Sequence, residues 1–110
     1  VTDLYVILGA YLTTETAVTG TGASGAGATA NILLFGTAGS SLGTLFTLAF
    51  NTGVDTVAGV AKSLGAITGV TGRNYGSGVG IRSTESIRFQ WVQGGTGLAL
   101  PAAIVVLDVV

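Results

Sequence analysis

Side chains able to do catalytic chemistry are scarce in this 110-residue chain. It has no histidine and no cysteine. It therefore lacks the commonest proton carrier near neutral pH, the reactive thiol, the two leading transition-metal ligands and any disulfide. Gly39-Ser40-Ser41-Leu42-Gly43 has the spacing of a nucleophile elbow, but a serine there needs a base to take its proton, and without histidine the segment reads as a loop. Gly20-Thr21-Gly22-Ala23-Ser24-Gly25 has the spacing with which a glycine-rich turn cradles a pyrophosphate. No helical period follows it, and no acidic residue stands between Glu15 and Asp55 to meet a ribose, so the fingerprint is incomplete. The GxxxG pairs Gly39/Gly43, Gly65/Gly69 and Gly72/Gly76 are what chance yields among nineteen glycines, since the motif matters only between membrane helices. The five carboxylates, Asp3, Glu15, Asp55, Glu85 and Asp108, share no spacing that would set up an acid/base pair. The chain is not expected to be an enzyme, and no cofactor or metal is expected.

Charge is nearly as scarce. Only 8% of residues are charged, against about a quarter in an ordinary soluble domain. The four cations, Lys62, Arg73, Arg82 and Arg88, are too few and too scattered to make the phosphate contacts on which nucleic-acid affinity rests, so no nucleic-acid partner is expected. All four lie in the second half, while Asp3, Glu15 and Asp55 lie in the first. A mean hydropathy of +0.73 raises the question of a membrane. The most apolar window, Asn31 to Phe50, is cut by the run from Gly36 to Gly43, so no spanning helix of about 20 apolar residues is expected. Val1 to Leu12 carries Asp3 and no basic flank, so it does not read as a signal peptide.

The length suits a single domain spanning residues 1–110, and the patterning predicts an antiparallel all-β sandwich. In the first segment Leu4, Val6, Leu8 and Leu12 alternate with Tyr5, Ile7 and Tyr11, giving a strand apolar on both faces with a bend at Gly9. Residues 13–30 are small, polar and glycine-rich and read as a loop or arm, mobile unless a partner holds it. Asn31–Phe35 reads as a short strand, and Thr44–Phe50 as one with Phe46, Leu48 and Phe50 on its heavy face. Val54, Val57, Ala58, Ala61 and Leu64 follow a helical spacing and predict one short helix over 54–64, capped by Thr52 or Asp55 and stopped at Gly65. A short strand over 66–71 and a loop over 72–80 follow. From Ser86 onward Ile87, Phe89 and Trp91 alternate with Ser86, Arg88 and Gln90, a strand with one face in the core and one in water. After a glycine turn, Ala102–Val110 places Ala103, Val105, Leu107 and Val109 on one face and Ile104, Val106, Asp108 and Val110 on the other. Asp108 must point outward at an edge or meet Arg82 or Arg88, because an unpaired buried charge is costly.

The closing pattern, Glu85-Ser86-Ile87-Arg88-Phe89-Gln90-Trp91-Val92, a Gly/Thr-rich turn and then Ala102–Val110, resembles the terminal hairpin of the small β-sandwich head decoration or cement proteins of tailed bacteriophages. That resemblance implies a jelly-roll-like sandwich, a symmetric homo-oligomer such as a trimer, and a place on the capsid exterior, clamping major capsid subunits of a virion. Independently, terminal strands apolar on both faces leave surface that another subunit should cover. The candidate interface residues are Ile104, Val106 and Val110, with Leu4, Tyr5 and Tyr11 on the first strand and Arg82, Arg88 and Gln90 as a competing polar face. The alternative is a filament or surface-layer subunit outside the cell, completing a neighbour's sheet with a terminal strand. A small-ligand binder using Tyr, Arg and backbone groups is the third class.

Overall fold

The computed structural model describes residues 3–20, 27–51, 53–93 and 100–110, without the side chains of Asp3, Leu4 and Ala38. The turn at Gly94–Gly97, most of the Gly20–Gly25 run and the proposed Thr52 cap lie outside the described residues. Among the described residues there are eight strands: β1 (Asp3–Thr14), β2 (Thr29–Phe35), β3 (Ser41–Ala49), β4 (Lys62–Ser63), β5 (Asn74–Tyr75), β6 (Gly78–Arg82), β7 (Ser86–Val92) and β8 (Ala103–Val109). All of their pairings are antiparallel. They form two sheets in a sandwich-like arrangement, so the all-β expectation holds.

Sheet A is built on β1. Ile7 pairs with both Val79 and Val109, and Tyr11 with both Ser63 and Val106; β8 therefore occupies one side of β1, while β6 and β4 lie end to end along the other. β5 extends the sheet beyond β6. Sheet B has the order β3-β2-β7. First with last and second with seventh strand is the nesting with which a jelly roll begins, but β6 joins β1 and not β3. β7 and β8 belong to different sheets, so the closing segment is not the hairpin expected from the sequence.

A bulge resolves the two-faced reading of β1. Register shifts between Ile7 and Gly9 against β8, which inserts Leu8 as an extra residue and resets the alternation of side chains. Before it, Tyr5 and Ile7 face the core; after it, Ala10, Leu12 and Thr14 do. A second shift between Ile32 and Leu33 lets β3 turn both Leu45 and Phe46 inward, where strict alternation would have set Leu45 outside. The core between the sheets is made of Ile7, Leu12, Ile32, Leu34, Leu45, Phe46, Phe50, Val79 and Ile81, all buried. Ile87, Phe89 and Trp91 close it from β7, Trp91 packing on Phe50 with ring centroids 5.3 Å apart.

No α-helix forms over 54–64. The segment is irregular with a tight turn, the Val60 N–H reaching the Val57 carbonyl at 3.0 Å and Gly59 taking a positive φ of 72°, and it ends in β4. The reason is local: Val54, Thr56 and Val57 are β-branched, Gly59 is poor in a helix, and Thr56 is used sideways. Its buried hydroxyl bonds that of Thr14 at 2.8 Å and accepts the Val18 N–H at 2.8 Å. The Gly20 N–H donates to the Asp55 carboxylate at 2.6 Å, and a Cβ on Gly20 would collide with the Asn51 carbonyl oxygen.

The described residues at the two ends of the 13–30 segment are strand or are tied to the fold. β1 runs through Thr14, β2 starts at Thr29, Val18 is buried, and Gly27 donates to the Phe50 carbonyl. We expect the amides of Val18, Gly20 and Gly27 to exchange slowly in the free subunit, which hydrogen exchange followed by NMR would check. Residues 66–71 form no strand, although the Thr68 N–H bonds the Leu45 carbonyl. Residues 74–80, read as loop, form the β5–β6 hairpin together with Ile81 and Arg82, and its outward Gly78 makes room for neighbouring side chains: a Cβ there would strike Val6 and Leu8.

Candidate assembly interface

The two outer faces of the sandwich differ in chemistry. On sheet B, β2 and β7 present Asn31, Leu33, Phe35, Arg88 and Gln90. Asn31 donates to the Gln90 side chain at 3.4 Å, and the Arg88 guanidinium lies 4.0 Å over the Phe35 ring, a cation–π contact that satisfies the charge at the surface. On sheet A, the bulge in β1 and the parity of β8 bring apolar side chains together. Tyr11 pairs with Val106, Thr13 with Ile104 and Gly9 with Asp108, so these residues share one face. Exposure is 36% for Leu8, 38% for Tyr11, 66% for Ile104, 52% for Val106 and 79% for Val110. A contiguous apolar patch of this kind, on the order of several hundred Å², is at the upper end of what a monomer ordinarily shows to water.

The patch continues past Ile104 into a shallow groove of about 300 Å³ between Thr13, Glu15, Gly59, Ala102 and Ala103. Its lining offers little polar recognition, so it extends the patch and does not form a ligand pocket of the usual kind. Other exposed apolar residues, Leu42, Val57, Val60, Tyr75 and Val92, sit on other elements; isolated exposed side chains are ordinary.

The candidate residues from the sequence thus divide. Tyr11, Ile104, Val106 and Val110 meet on sheet A's outer face. Tyr5 packs against the core instead, because it precedes the bulge. Leu4 lies in β1, its side chain outside the described residues. Arg88 and Gln90 are exposed on the opposite side of the sandwich, and Arg82, half-buried, donates its backbone N–H to Glu85 at 2.8 Å. Leu8 was missed as a surface residue because alternation alone puts it in phase with Leu12. The glycine after it is the one local sign of a bulge. Val105 and Leu107 pack against the core as their parity requires, whereas Val109, on the same parity, is half-exposed, since β8 is an edge strand. Asp108 points outward from that edge and is exposed, the first of its two expected solutions.

An ion pair is built into the fold. Arg73 and Glu85, twelve residues apart, meet at 2.5 Å, both buried. Burial by itself raises the Glu85 pKa; the Arg73 side chain and the Arg82 backbone N–H outweigh it and hold the carboxyl below its ordinary value. A carboxylate with a depressed folded-state pKa stabilises the fold above its unfolded pKa and loses that contribution as pH falls through the folded value. Urea midpoints should therefore be flat near neutral pH and fall progressively below about pH 4.3, with a shallower fall in Glu85→Gln.

No helix among the described residues is long and apolar enough to cross a membrane. Comparison with known proteins found no matching family model, curated protein or solved structure.

Proposed function

We propose that this chain is a structural assembly protein that docks through the outer face of sheet A, and that its setting is the exterior of a virion capsid, where it would decorate and cement the shell. The observation that carries the assembly role is the asymmetry of the sandwich: Leu8, Tyr11, Ile104, Val106 and Val110 exposed on one side, Arg88 and Gln90 on the other. The capsid setting rests on composition and on the closing sequence, and draws no support from strand pairing, because β7 and β8 form no hairpin. Burying Ile104, Val106 or Val110 against a neighbour stabilises an assembly by roughly 1.5–3 kcal/mol per side chain at most, less for those already half covered. A filament or surface-layer role is the second reading, favoured by the edge of β8, along which no other strand of the described residues lies.

Val106→Glu tests the assembly role. Val106 is exposed, so the variant should remain folded, with Trp91 fluorescence unchanged and the unfolding free energy from urea within about 0.5 kcal/mol of the parent. Its native mass should fall to that of one chain where the unaltered protein is assembled. A Val106→Glu chain that stays assembled would place the contact elsewhere, and the polar face of Arg88 and Gln90 becomes the candidate. Electron microscopy of native material would separate a decorated shell from a filament.

A further inference from the structure

The backbone of β8 carries information that its side chains do not. Val110 and Val6 exchange both of their main-chain hydrogen bonds, at 2.9 and 3.0 Å, and the Glu15 N–H reaches the Ala102 carbonyl at 2.8 Å. Main-chain groups alternate in direction along an antiparallel strand. The even-numbered residues of β8 therefore turn their N–H and C=O toward β1, and Ala103, Val105, Leu107 and Val109 turn theirs away. The far side of β1 agrees: Thr14 and Ala10, which pair with Ala103 and Leu107, send their carbonyls to the N–H groups of Gly59 and Leu64. Four residues thus present donors and acceptors on an edge along which no other strand of the described residues lies.

Edge strands normally carry a guard such as lysine, proline, a bulge or a covering loop. β8 has no lysine and no proline, its single charge is Asp108, and the bulge lies in β1. β7, the comparable edge of sheet B, carries Arg88. Pro101 precedes β8 and does not interrupt it.

We propose that the open edge of β8 pairs antiparallel with β8 of a second copy, about a two-fold axis through Val106, joining two copies of sheet A into one continuous sheet. The register follows from which residues carry free groups. Centred on Val106, Val105 faces Leu107 of the second copy and Ala103 faces Val109, so all four edge residues of each strand are hydrogen-bonded over a shared length of about 24 Å. Centring on Val105 would set Val109 against Pro101, which has no N–H, and centring on Leu107 would carry Ala103 beyond the paired strand. Centring on Val106 also keeps the two Asp108 carboxylates about 14 Å apart along the strands and covers the half-exposed Val109. The outer apolar face becomes one surface running across both copies. This pairing goes beyond the capsid reading, since it needs no shell protein and would hold for an isolated dimer.

A chain without cysteine makes the test direct. In this register Val106 faces itself at a non-hydrogen-bonded site, where Cα atoms are about 4.5 Å apart, within disulfide range. Val106→Cys alone should cross-link to a covalent dimer under mild oxidation, on the order of tenfold faster than Ile104→Cys or Asp108→Cys alone. Those two, mixed in equal amounts, should cross-link to each other in preference to themselves, because Ile104 faces Asp108; this second measurement holds even if Val106→Cys folds poorly. Equal rates for all three single variants would mean random collision of surface thiols and would overturn the pairing. Preferred self-linking of Ile104→Cys would overturn the register. Because Val106 lies on the proposed axis, the outer face is tested separately at Tyr11, which is exposed on β1 and off the edge: a Tyr11→Glu chain that keeps assemblies larger than a dimer while Val106→Cys cross-links as stated would count against outer-face docking and leave the edge pairing intact, so the two failures are distinguishable.

Discussion

Leu107→Glu is expected to lower the thermal midpoint by about 15 °C or more, while Val106→Glu, one residue away, leaves the fold in place. The two side chains leave β8 in opposite directions. Leu107 pairs with buried Ala10 and packs against the core from the inner face of sheet A; Val106 pairs with exposed Tyr11 on the outer face. A glutamate at 107 must either ionise beside Ala10 and Leu12 or pull the end of β8 away from β1, and either route should cost about 3 kcal/mol or more. Against a total of roughly 5–15 kcal/mol for a domain of this size, that is enough to lower the thermal midpoint by about 15 °C or more. Circular dichroism melts of the two variants side by side would check it, with Trp91 fluorescence reporting the core contact with Phe50. Comparable melting of both variants would mean that β8 contributes no inward face.

Arg73→Met is the second large effect. It leaves Glu85 buried with the Arg82 N–H and the Arg82 charge but without its direct cationic partner, and removing one member of a buried pair typically costs about 3–5 kcal/mol. Much of that loss is the uncompensated carboxylate and not the intrinsic value of the pair, so adding Glu85→Gln to Arg73→Met should recover part of it. A double-mutant cycle from urea unfolding gives the coupling directly. If Arg73→Met and Glu85→Gln are additive, the contact has no energetic weight. The pair spans the outer end of the β5–β6 hairpin and the turn before β7: Arg73 also accepts the Gly80 N–H on its carbonyl, at 2.9 Å. Its loss should therefore loosen both sheets where the chain passes from β6 to β7.

How much of this was legible in the sequence depends on how far each strand keeps strict alternation. Ser86–Val92 was readable because β7 has one wet face and no bulge: Ile87, Phe89 and Trp91 face in, and Arg88 and Gln90 face out. β8 was readable for a related reason, with Ala103 and Val109, at its two ends, the exceptions. β1 was recognised as two-faced, but the cause was hidden, since a single inserted residue at Leu8 exchanges the two faces midway. The start of β6 was unreadable as a strand: Gly78 and Gly80 look like loop residues, and only the three-dimensional neighbours Val6 and Leu8 show why position 78 must lack a side chain. The helix expected over 54–64 rested on apolar spacing. In the fold Val57 and Ala58 are exposed and the decisive residues are Thr56 and Asp55, whose bonds to Thr14, Val18 and Gly20 span 35 or more positions. The Arg73–Glu85 pair left no periodic trace for the same reason.

The central claim is that sheet A's outer face, and not sheet B's, is the one that meets other molecules. A cryo-electron microscopy map of the native assembly at side-chain resolution tests it most directly. The account predicts that Leu8, Tyr11, Ile104 and Val106 are covered by a neighbour while Arg88 and Gln90 face solvent. A map in which the Arg88–Gln90 face is buried and Ile104 and Val106 stand in water would contradict it.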